Sequence, residues 1–507
     1  MTTRKLRSLS ELKRECERLR DEGRKGVLCH GVFDLLHPGH LKHLAAAKAE
    51  GDYLVVTVTP DKLVNKGPGR PVYAELQRVE MLASLEVVDF VAVNDAPTAT
   101  STILRLRPDV YAKGADYIDR SADPTGNISD EEDAVVSCGG RIHFTDEPSL
   151  SSSKLINAHM AKHDEPTREW LADFRARYSV DEVLAWLDAA AKVRALVIGE
   201  AIIDEYVVCE ALGKSSKDPV IAFREMGLER QAGGSAAIAN HCGGLGAEVK
   251  NVFRLGTDER DHDLLLGSLH ERVTPAFTFS EAEPTIIKRR FIDDLTEARV
   301  FETYIMSEDA ATPSDRKRFR ELLEASLKDV DLVIVADYGH GLLTEDVIGD
   351  LAGSGKRLAV NTQSNAGNRG FNTISKYTKP GFVCLNGGEM ALELRRRHLT
   401  VDELVPQLHE RTGADRVIVT AGAQGLVCCE SDSGTTHVPA FAPNVRDRVG
   451  AGDALFAMTS LLSAAGAPAD VTGLFGNLAG AVAVGQLGNR THLVAGDIAR
   501  HAIALLK

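Results

Sequence analysis

Two stretches of this 507-residue chain carry side chains that could do chemistry. The first is "HGVFDLLHPGH", His30 to His40, where His37 and His40 flank Pro38 and Gly39. The second, far downstream, is "DRVGAGDALF", where Gly450, Ala451 and Gly452 stand directly before Asp453, with Asp447 upstream. The histidines admit three readings. As zinc ligands they want further Cys, His or carboxylate partners; His43 is near, but no ligand set assembles. They can be incidental to a turn. Or Gly39 lets a phosphate approach the backbone where a helix begins. There the dipole and free N–H groups attract an anion and two imidazoles donate to phosphoryl oxygens. This third reading uses most of the stretch. In the second stretch the plain reading is an ordinary helix start. The chemical reading is an anion hole of N–H groups for a transferring γ-phosphate, with Asp453 placed to take a proton from an alcohol.

The elements that must hold these residues can be read from the alternation around them. Ser8 and Glu11 are spaced as a capping box for a helix over 5–24. "GVLCHG" then reads as a short strand, "HPGHLKHLAAAKAEG" as a helix closed by Gly51, and "DYLVVTVTP" as a β-branched strand. Strand and helix continue to alternate to about residue 160, the pattern of a parallel sheet with crossover helices. Residues 161–192 are polar and helical, read as a linker, or equally as a terminal helix of a neighbouring domain. A second alternating pattern begins at "VRALVIGEAIIDEYV" and runs over 193–507. "TIIKRRFID" and "ARVFETYI" alternate at period two, as strands with one solvated face do. "DLVIVADYG", "RLAVNTQ", "GFVCLNGGE" and "DRVIVTAGAQG" are apolar strands ending in polar residues or Gly, and ligands of open α/β sheets gather at such ends. The expected fold class is α/β, with two doubly wound domains.

Composition sets bounds on partners. At 44% hydrophobic and 26% charged residues the chain has ample material for full cores. A net charge of -14 disfavours general nucleic-acid binding but leaves room for a local phosphate pocket. No apolar run is long enough to span a membrane, and the charged N-terminus lacks the apolar core of a signal peptide. The expectation is a cytoplasmic protein with neither nucleic acid nor membrane as partner. The eight cysteines form no C-x-x-C and read as small buried hydrophobes in a reducing compartment.

"GVFDLLHPGH" resembles the H-x-G-H signature of the cytidylyltransferase-like nucleotidyltransferases, and the resemblance extends through "GDYLVVTVTPDKLVNKGPGRPV", "YAKGADY" and "SLSSSKLI". It implies a Rossmann-like domain over 1–160 that joins a nucleoside triphosphate to a phosphorylated substrate and releases pyrophosphate. His37 and His40 would bind the triphosphate and stabilise charge on the α-phosphate, with Lys66 assisting. Gly31, Phe33, Asp34 and Gly39 would line the nucleotide. Lys113, Gly114 and Asp116 are similar to the base- and ribose-side loop of adenylyl-transferring members. Ser151, Ser152 and Ser153 match a phosphate-holding segment that is usually Ser-Thr-Thr. "YAKGADY" leans toward ATP, whereas the histidine signature is shared with CTP users.

From 193 to 507 the chain resembles the ribokinase-like sugar kinases, through "VIGEAIIDEY", "AGGSAAIAN", "ADYGHG", "NGGE", "TAGAQG" and "GAGD". What this implies is a sugar hydroxyl activated by Asp453, with Mg²⁺ and ATP under the Gly450–Gly452 hole. Asn386 and Glu389 would hold the metal through water. Asp204, Gly233 and Gly234 would hold the sugar, and Thr420, Gly422, Gly425 and Asn477 would lie at the nucleotide. Three positions depart from the pattern: Ala237 stands for a sugar-contacting Asn, Asn361 begins "NTQ" where heptose kinases have Asp-Pro-Lys, and Val449 replaces a hydroxyl residue.

Together the halves resemble the bacterial bifunctional heptose kinase/ADP-heptose synthases, with the domain order swapped. The implied function is ATP-dependent phosphorylation of a heptose-like sugar or sugar phosphate at C1 and nucleotidyl transfer to a sugar 1-phosphate, giving an NDP-sugar. One alternative is a single-activity CDP-alcohol or CDP-sugar synthase with a non-catalytic ribokinase-like half; another is a nucleotide-sensing scaffold. The period-two strands would form a small β lid, through which ribokinase-like kinases often pair as homodimers, or a solvated two-stranded flap.

Overall fold

The computed structural model describes residues 5–64, 71–96, 98–114, 128–145, 164–307, 311–368, 370–396, 398–431, 434–442, 445 and 447–506. The chain divides into two compact units, Met1–Asp164 and Glu165–Lys507.

The first unit opens with α1 (Leu9–Asp21). Ser8 and Glu11 cap it reciprocally, as their spacing predicts. Its five-stranded sheet is made of β1 (Gly26–Gly31), β2 (Tyr53–Val58), β3 (Phe90–Val93), β4 (Val110–Gly114) and β5 (Arg141–Thr145), in the order β3-β2-β1-β4-β5. All pairs are parallel. Every residue of β2 is buried, as in a sheet covered on both faces. The helices are α2 (Pro38–Ala49), α3 (Glu75–Ala83), α4 (Thr100–Leu106) and α5 (Ile128–Ser137). Strand order reverses between β1 and β4. The crevice beyond their carboxyl ends lies beside the "HPGH" turn on one side and Lys113–Gly114 on the other.

The second unit begins with α6 (Glu165–Arg177) and α7 (Val180–Ala190). These helices are not a linker: Leu171, Phe174, Val183 and Leu187 are buried in one cluster with Leu461, Leu474 and Ala502 of the unit's last helices. The polar composition of 161–192 hid a narrow apolar stripe at helical spacing. A nine-stranded sheet follows, of β6 (Arg194–Gly199), β9 (Glu248–Leu255), β10 (Val273–Phe279), β13 (Leu332–Asp337), β14 (Arg357–Thr362), β15 (Phe382–Asn386), β16 (Arg416–Thr420), β17 (Leu426–Glu430) and β18 (Gly434–Val438). Its order is β10-β9-β6-β13-β14-β15-β16-β17-β18. It is parallel as far as β16 and antiparallel beyond. A separate four-stranded sheet, β12-β11-β7-β8, is built from β7 (Ala201–Lys214), β8 (Ile221–Gly234), β11 (Ile286–Asp293) and β12 (Arg299–Ile305). The two period-two stretches are β11 and β12, so the lid has four strands, not two.

Nine further helices complete the described elements: α8 (Ser235–Gly244), α9 (Glu259–Gly267), α10 (Pro313–Ser326), α11 (Glu345–Gly353), α12 (Gly387–Leu394), α13 (Val401–Thr412), α14 (Ala451–Ala465), α15 (Ala469–Ala483) and α16 (Ala495–Leu506). Helices α14 and α15 are mostly buried, and small residues let them pack closely. Here strand order reverses between β6 and β13. Among the described residues no helix is long and apolar enough to cross a membrane. All eight cysteines are free, and all but Cys138 are buried.

Candidate active site

In the first unit, β1 delivers the chain into a turn that ends at the N-cap of α2, which is His37 itself. Gly39 N–H donates to His37 Nδ1 at 3.1 Å. In the neutral ring this makes Nδ1 the acceptor and puts the hydrogen on Nε2. The His37 and His40 rings stack at 3.9 Å, with Phe33 tilted against His40 at 5.3 Å. Pro38 occupies the first helical turn, where its missing N–H costs nothing. Imidazoles and helix N–H groups at a switch point are groups able to donate to an anion. Among the described residues no group of three or more His, Cys, Asp or Glu side chains is placed to hold a metal ion.

Other expected residues of this unit take definite places. Asp34 is buried, and its Oδ1 accepts from Val72 N at 2.5 Å and Tyr73 N at 3.3 Å, which anchors the chain that follows. Lys113 pairs with Glu131 at 2.8 Å and lies over the Tyr111 ring. Gly31 and Gly114 end β1 and β4. Burial holds His30 and His43 near pKa 4, so both are neutral at physiological pH, each bonded to a threonine hydroxyl. Lys66, Asp116, Ser151, Ser152 and Ser153 lie outside the described residues.

In the second unit the chemistry gathers around Asp453, in the first turn of α14. Gly450 caps that helix at φ +80°, and a Cβ there would meet Asn489 Oδ1 at 2.1 Å, so only glycine fits. The Tyr338 hydroxyl donates to Asp453 Oδ1 at 2.9 Å. Burial pushes the Asp453 carboxyl up to about pKa 6; the tyrosine, Lys288 and Arg290 pull against that rise, while Asp204 adds to it. Asp204 comes from β7 and pairs with Arg290 of β11 at 2.5 Å. Gly233 lies against the Asp204 carboxylate so closely that a Cβ would stand 2.2 Å from Oδ2. Asp447 accepts from Val449 N at 3.1 Å and Gly488 N at 3.0 Å, and from Arg299 of the lid strand β12.

Several of these residues escaped the motif reading. Lys288 is buried, lies over the Tyr338 and Tyr304 rings, and has its pKa lowered by that burial. Glu200, at the end of β6, accepts from Tyr338 N at 3.0 Å and His340 N at 2.9 Å; burial, then Asp337, raises its pKa. The signal was in "TIIKRRFID": Lys288, Arg290 and Ile292 are the buried positions, so the covered face of this strand carries two cations. Asn489 reaches Asp204 Oδ2 at 3.5 Å. A cavity of about 220 Å³ is lined by Gln231, Ala237, Asn240, His241, Asn489 and Arg490, so Ala237 opens space next to the proposed sugar residues.

The residues expected at a nucleotide sit at the far end of the sheet. Thr420 ends β16, Gly422 lies in the short turn after it, and Gly425 begins the return. The Asn477 amide donates to the Val438 and Pro439 carbonyls at 3.0 and 2.8 Å, tying down the end of β18. Asn386 and Glu389 form the capping box of α12. Both Glu389 oxygens accept a backbone N–H, from Asn386 at 2.8 Å and Ser364 at 3.2 Å, and burial raises its pKa to about 7. Each oxygen keeps a second lone pair, so this pair fits a hydrated Mg²⁺ held through water. Asn361 is spent on Cys384 O at 2.8 Å.

A model of the pfkB family carbohydrate kinases matches residues 193–495, and a cytidylyltransferase-like model matches residues 28–158. The Bifunctional protein HldE of Desulfatibacillum aliphaticivorans is 38% identical over 155 residues, 30% of this chain and 30% of that protein. The Bifunctional protein HldE of Rhodopseudomonas palustris (strain BisB18) is 26% identical over 328 residues, 63% of this chain and 65% of that protein. The chain spans less than a third of the length of the first of these relatives. Phosphofructokinase-2 from Escherichia coli aligns with a TM-score of 0.51 at 18% identity, covering 62% of this chain and 100% of that one, which shows the fold of the second unit.

Proposed function

Since the chain belongs to the pfkB family of carbohydrate kinases and also carries a cytidylyltransferase-like region, we propose that it is a bifunctional enzyme of nucleotide-sugar biosynthesis. In this reading the second unit phosphorylates a heptose-like sugar or sugar phosphate at C1 with ATP. The first transfers a nucleotidyl group, from ATP in preference to CTP, to a sugar 1-phosphate and releases pyrophosphate. The observation that carries the reading is Asp453: a partly buried carboxylate in the first turn of a glycine-capped helix, beside an acid–arginine pair on the lid sheet. A carboxyl with pKa near 6 is ionised at neutral pH yet basic enough to take a hydroxyl proton.

Asp453 is the general base. Asp204, Gly233 and Gly234 hold the sugar, and the N–H groups of Gly450–Gly452 face the phosphate. Thr420, Gly422, Gly425 and Asn477 form the nucleotide end. Mg²⁺ supplies charge neutralisation on the phosphates when bound, with Asn386 and Glu389 holding its waters. In the first unit, His37, His40 and Lys66 neutralise charge on the triphosphate. Gly31, Phe33, Asp34, Gly39, Lys113, Gly114, Asp116 and Ser151–Ser153 surround the nucleotide. Lid-mediated pairing of two copies, a cytoplasmic location and a domain order reversed from the heptose enzymes complete the proposal.

The test is a screen of pyrophosphate release with four nucleotides against a panel of sugar 1-phosphates, with ADP release measured in parallel on sugars and sugar phosphates, heptose 7-phosphate among them. Both activities are expected. Ala237, which lacks the polar group of a sugar-contacting Asn, favours the second reading: a cytidylyltransferase whose kinase-like half only binds ligand. Pyrophosphate release with CTP alone, and no ADP release on any acceptor, would establish that second reading.

A further inference from the structure

Asp453 cannot act as a base unless the correct oxygen of its carboxylate is presented. Resting on the reading of Asp453 as the base, we propose that Tyr338 is the positioning residue that fixes this carboxylate, holding one oxygen so that the other takes the substrate's proton. The hydroxyl–Oδ1 distance is 2.9 Å, and Asp453 Oδ2 has no hydrogen-bond partner among the described residues. In the step concerned, the sugar O–H proton passes to Oδ2 as the sugar oxygen bonds to the γ-phosphorus. The bond from that phosphorus to the leaving ADP breaks, and ADP keeps the electron pair.

Tyr338 is built to be rigid. It follows directly on β13, across the site from α14. Its N–H donates to Glu200 Oε2 at 3.0 Å, and its carbonyl accepts from Asn365 Nδ2 at 2.7 Å and Asn368 Nδ2 at 3.0 Å. The side chain is buried, and Lys288 Nζ lies 5.5 Å from the ring centroid. A cation over the ring draws electron density from the phenol and strengthens it as a donor. Burial, followed by the Asp453 charge, raises the phenol's pKa well above its ordinary value, so it donates at every working pH. The charged groups around the carboxylate are Asp204 of β7, Lys288 and Arg290 of β11, Glu200 after β6 and Glu389 of α12. Asp204, Lys288, Arg290 and Glu389 interact with it through space and Glu200 with Tyr338; Tyr338 alone among the described residues is hydrogen-bonded to it.

The experiment compares the full chain with Tyr338→Phe and Asp453→Asn. Carboxyl ¹³C NMR of aspartate-labelled protein is titrated with pH, Asp453→Asn identifying the resonance. ADP release is followed across pH on every acceptor of the panel above. For Tyr338→Phe the Asp453 midpoint should rise by roughly 0.5–1 pH unit. The acid limb of ADP release should rise with it, and kcat should fall about 10- to 100-fold with KM nearly unchanged. An unmoved midpoint, or a moved midpoint with kcat and its pH limb unchanged, overturns the positioning role while leaving Asp453 as the base. ADP release that survives Asp453→Asn, or that is absent in the parent chain, overturns the base reading and the inference with it.

Discussion

At the switch point of the first unit, two imidazoles stack 3.9 Å apart beside a helix N-terminus; at that of the second, a partly buried carboxylate in the first helical turn leans on a tyrosine, with two cations and another carboxylate nearby. The topological position is the same, and the materials are opposed. The proposed reactions explain why. A sugar phosphate attacking an α-phosphorus is already an anion, so the first site needs donors and positive potential and no base. A sugar hydroxyl attacking a γ-phosphorus must lose a proton, so the second site needs an acid whose pKa has been lifted toward neutrality. Lifting it requires burial, and burial of a charge requires partners.

The largest effect that could break this contrast is Asp453→Asn. It should lower ADP release by about 10²- to 10⁴-fold and leave pyrophosphate release untouched. Equal loss of both activities would mean that the substitution acts on folding rather than proton transfer. His37→Ala is the converse. Removing one donor to developing phosphate charge should cost about 10²- to 10³-fold in pyrophosphate release, with ADP release unchanged. Pyrophosphate release that survives His37→Ala would remove the first site from the chemistry altogether.

The contrast also marks what the sequence made legible. The histidine turn and the glycine-capped aspartate are contiguous, so each could be found from local spacing, and the strand–helix alternation around them gave both sheets. Tyr338, Lys288 and Arg290 reach Asp453 only through the fold, from the end of β13 and from β11, and Glu200, just after β6, supports Tyr338. No local pattern ties Tyr338 to a residue far along the chain. Lys288 and Arg290 were hidden by an assumption that the charged face of a period-two strand is the wet one; in β11 it is the covered face. The helices at 165–190 left linker and domain helix equally open for a related reason. Their charged faces dominate the composition, while the few apolar residues that bind them to the second unit are spread at helical spacing.

If burial is what tunes the second site, that site should store instability that the first does not. The Asp453 pKa is raised from an ordinary 3.8 to about 6. A raised acid favours the folded state below its unfolded pKa, and that advantage is lost as pH climbs through the folded value. Above pH 6 the ionised carboxylate therefore costs the fold up to about 3 kcal/mol, from two pH units at 1.36 kcal/mol each. Asp453→Asn keeps an acceptor for Tyr338 and removes the charge. It should raise the urea midpoint of the second unit at pH 7.5 and do so much less at pH 4.5. A gain that is equal at the two pH values would mean that ionisation of Asp453 carries no stability cost.

The smallest expected effect tests whether the two regions are separable at all. Each unit has a helix closed by the same device: Ser8 with Glu11 on α1, Ser179 with Glu182 on α7, with serine-to-glutamate distances of 2.8 Å in both. Replacing an N-cap serine by alanine costs about 1 kcal/mol, because a backbone N–H loses its acceptor and the glutamate loses one of its two donors, keeping the backbone N–H. Ser8→Ala should therefore lower only the melting transition that follows the first unit, and Ser179→Ala only that of the second, by a few degrees each. Ser179 is the informative one. It lies in the stretch whose composition reads as a linker, and a linker cap would leave both transitions where they are. Since α7 buries Val183 and Leu187 in the core that also packs α14, loosening its first turn should be felt by the kinase unit. Differential scanning calorimetry of the two variants decides between a tether and a structural part of the second fold.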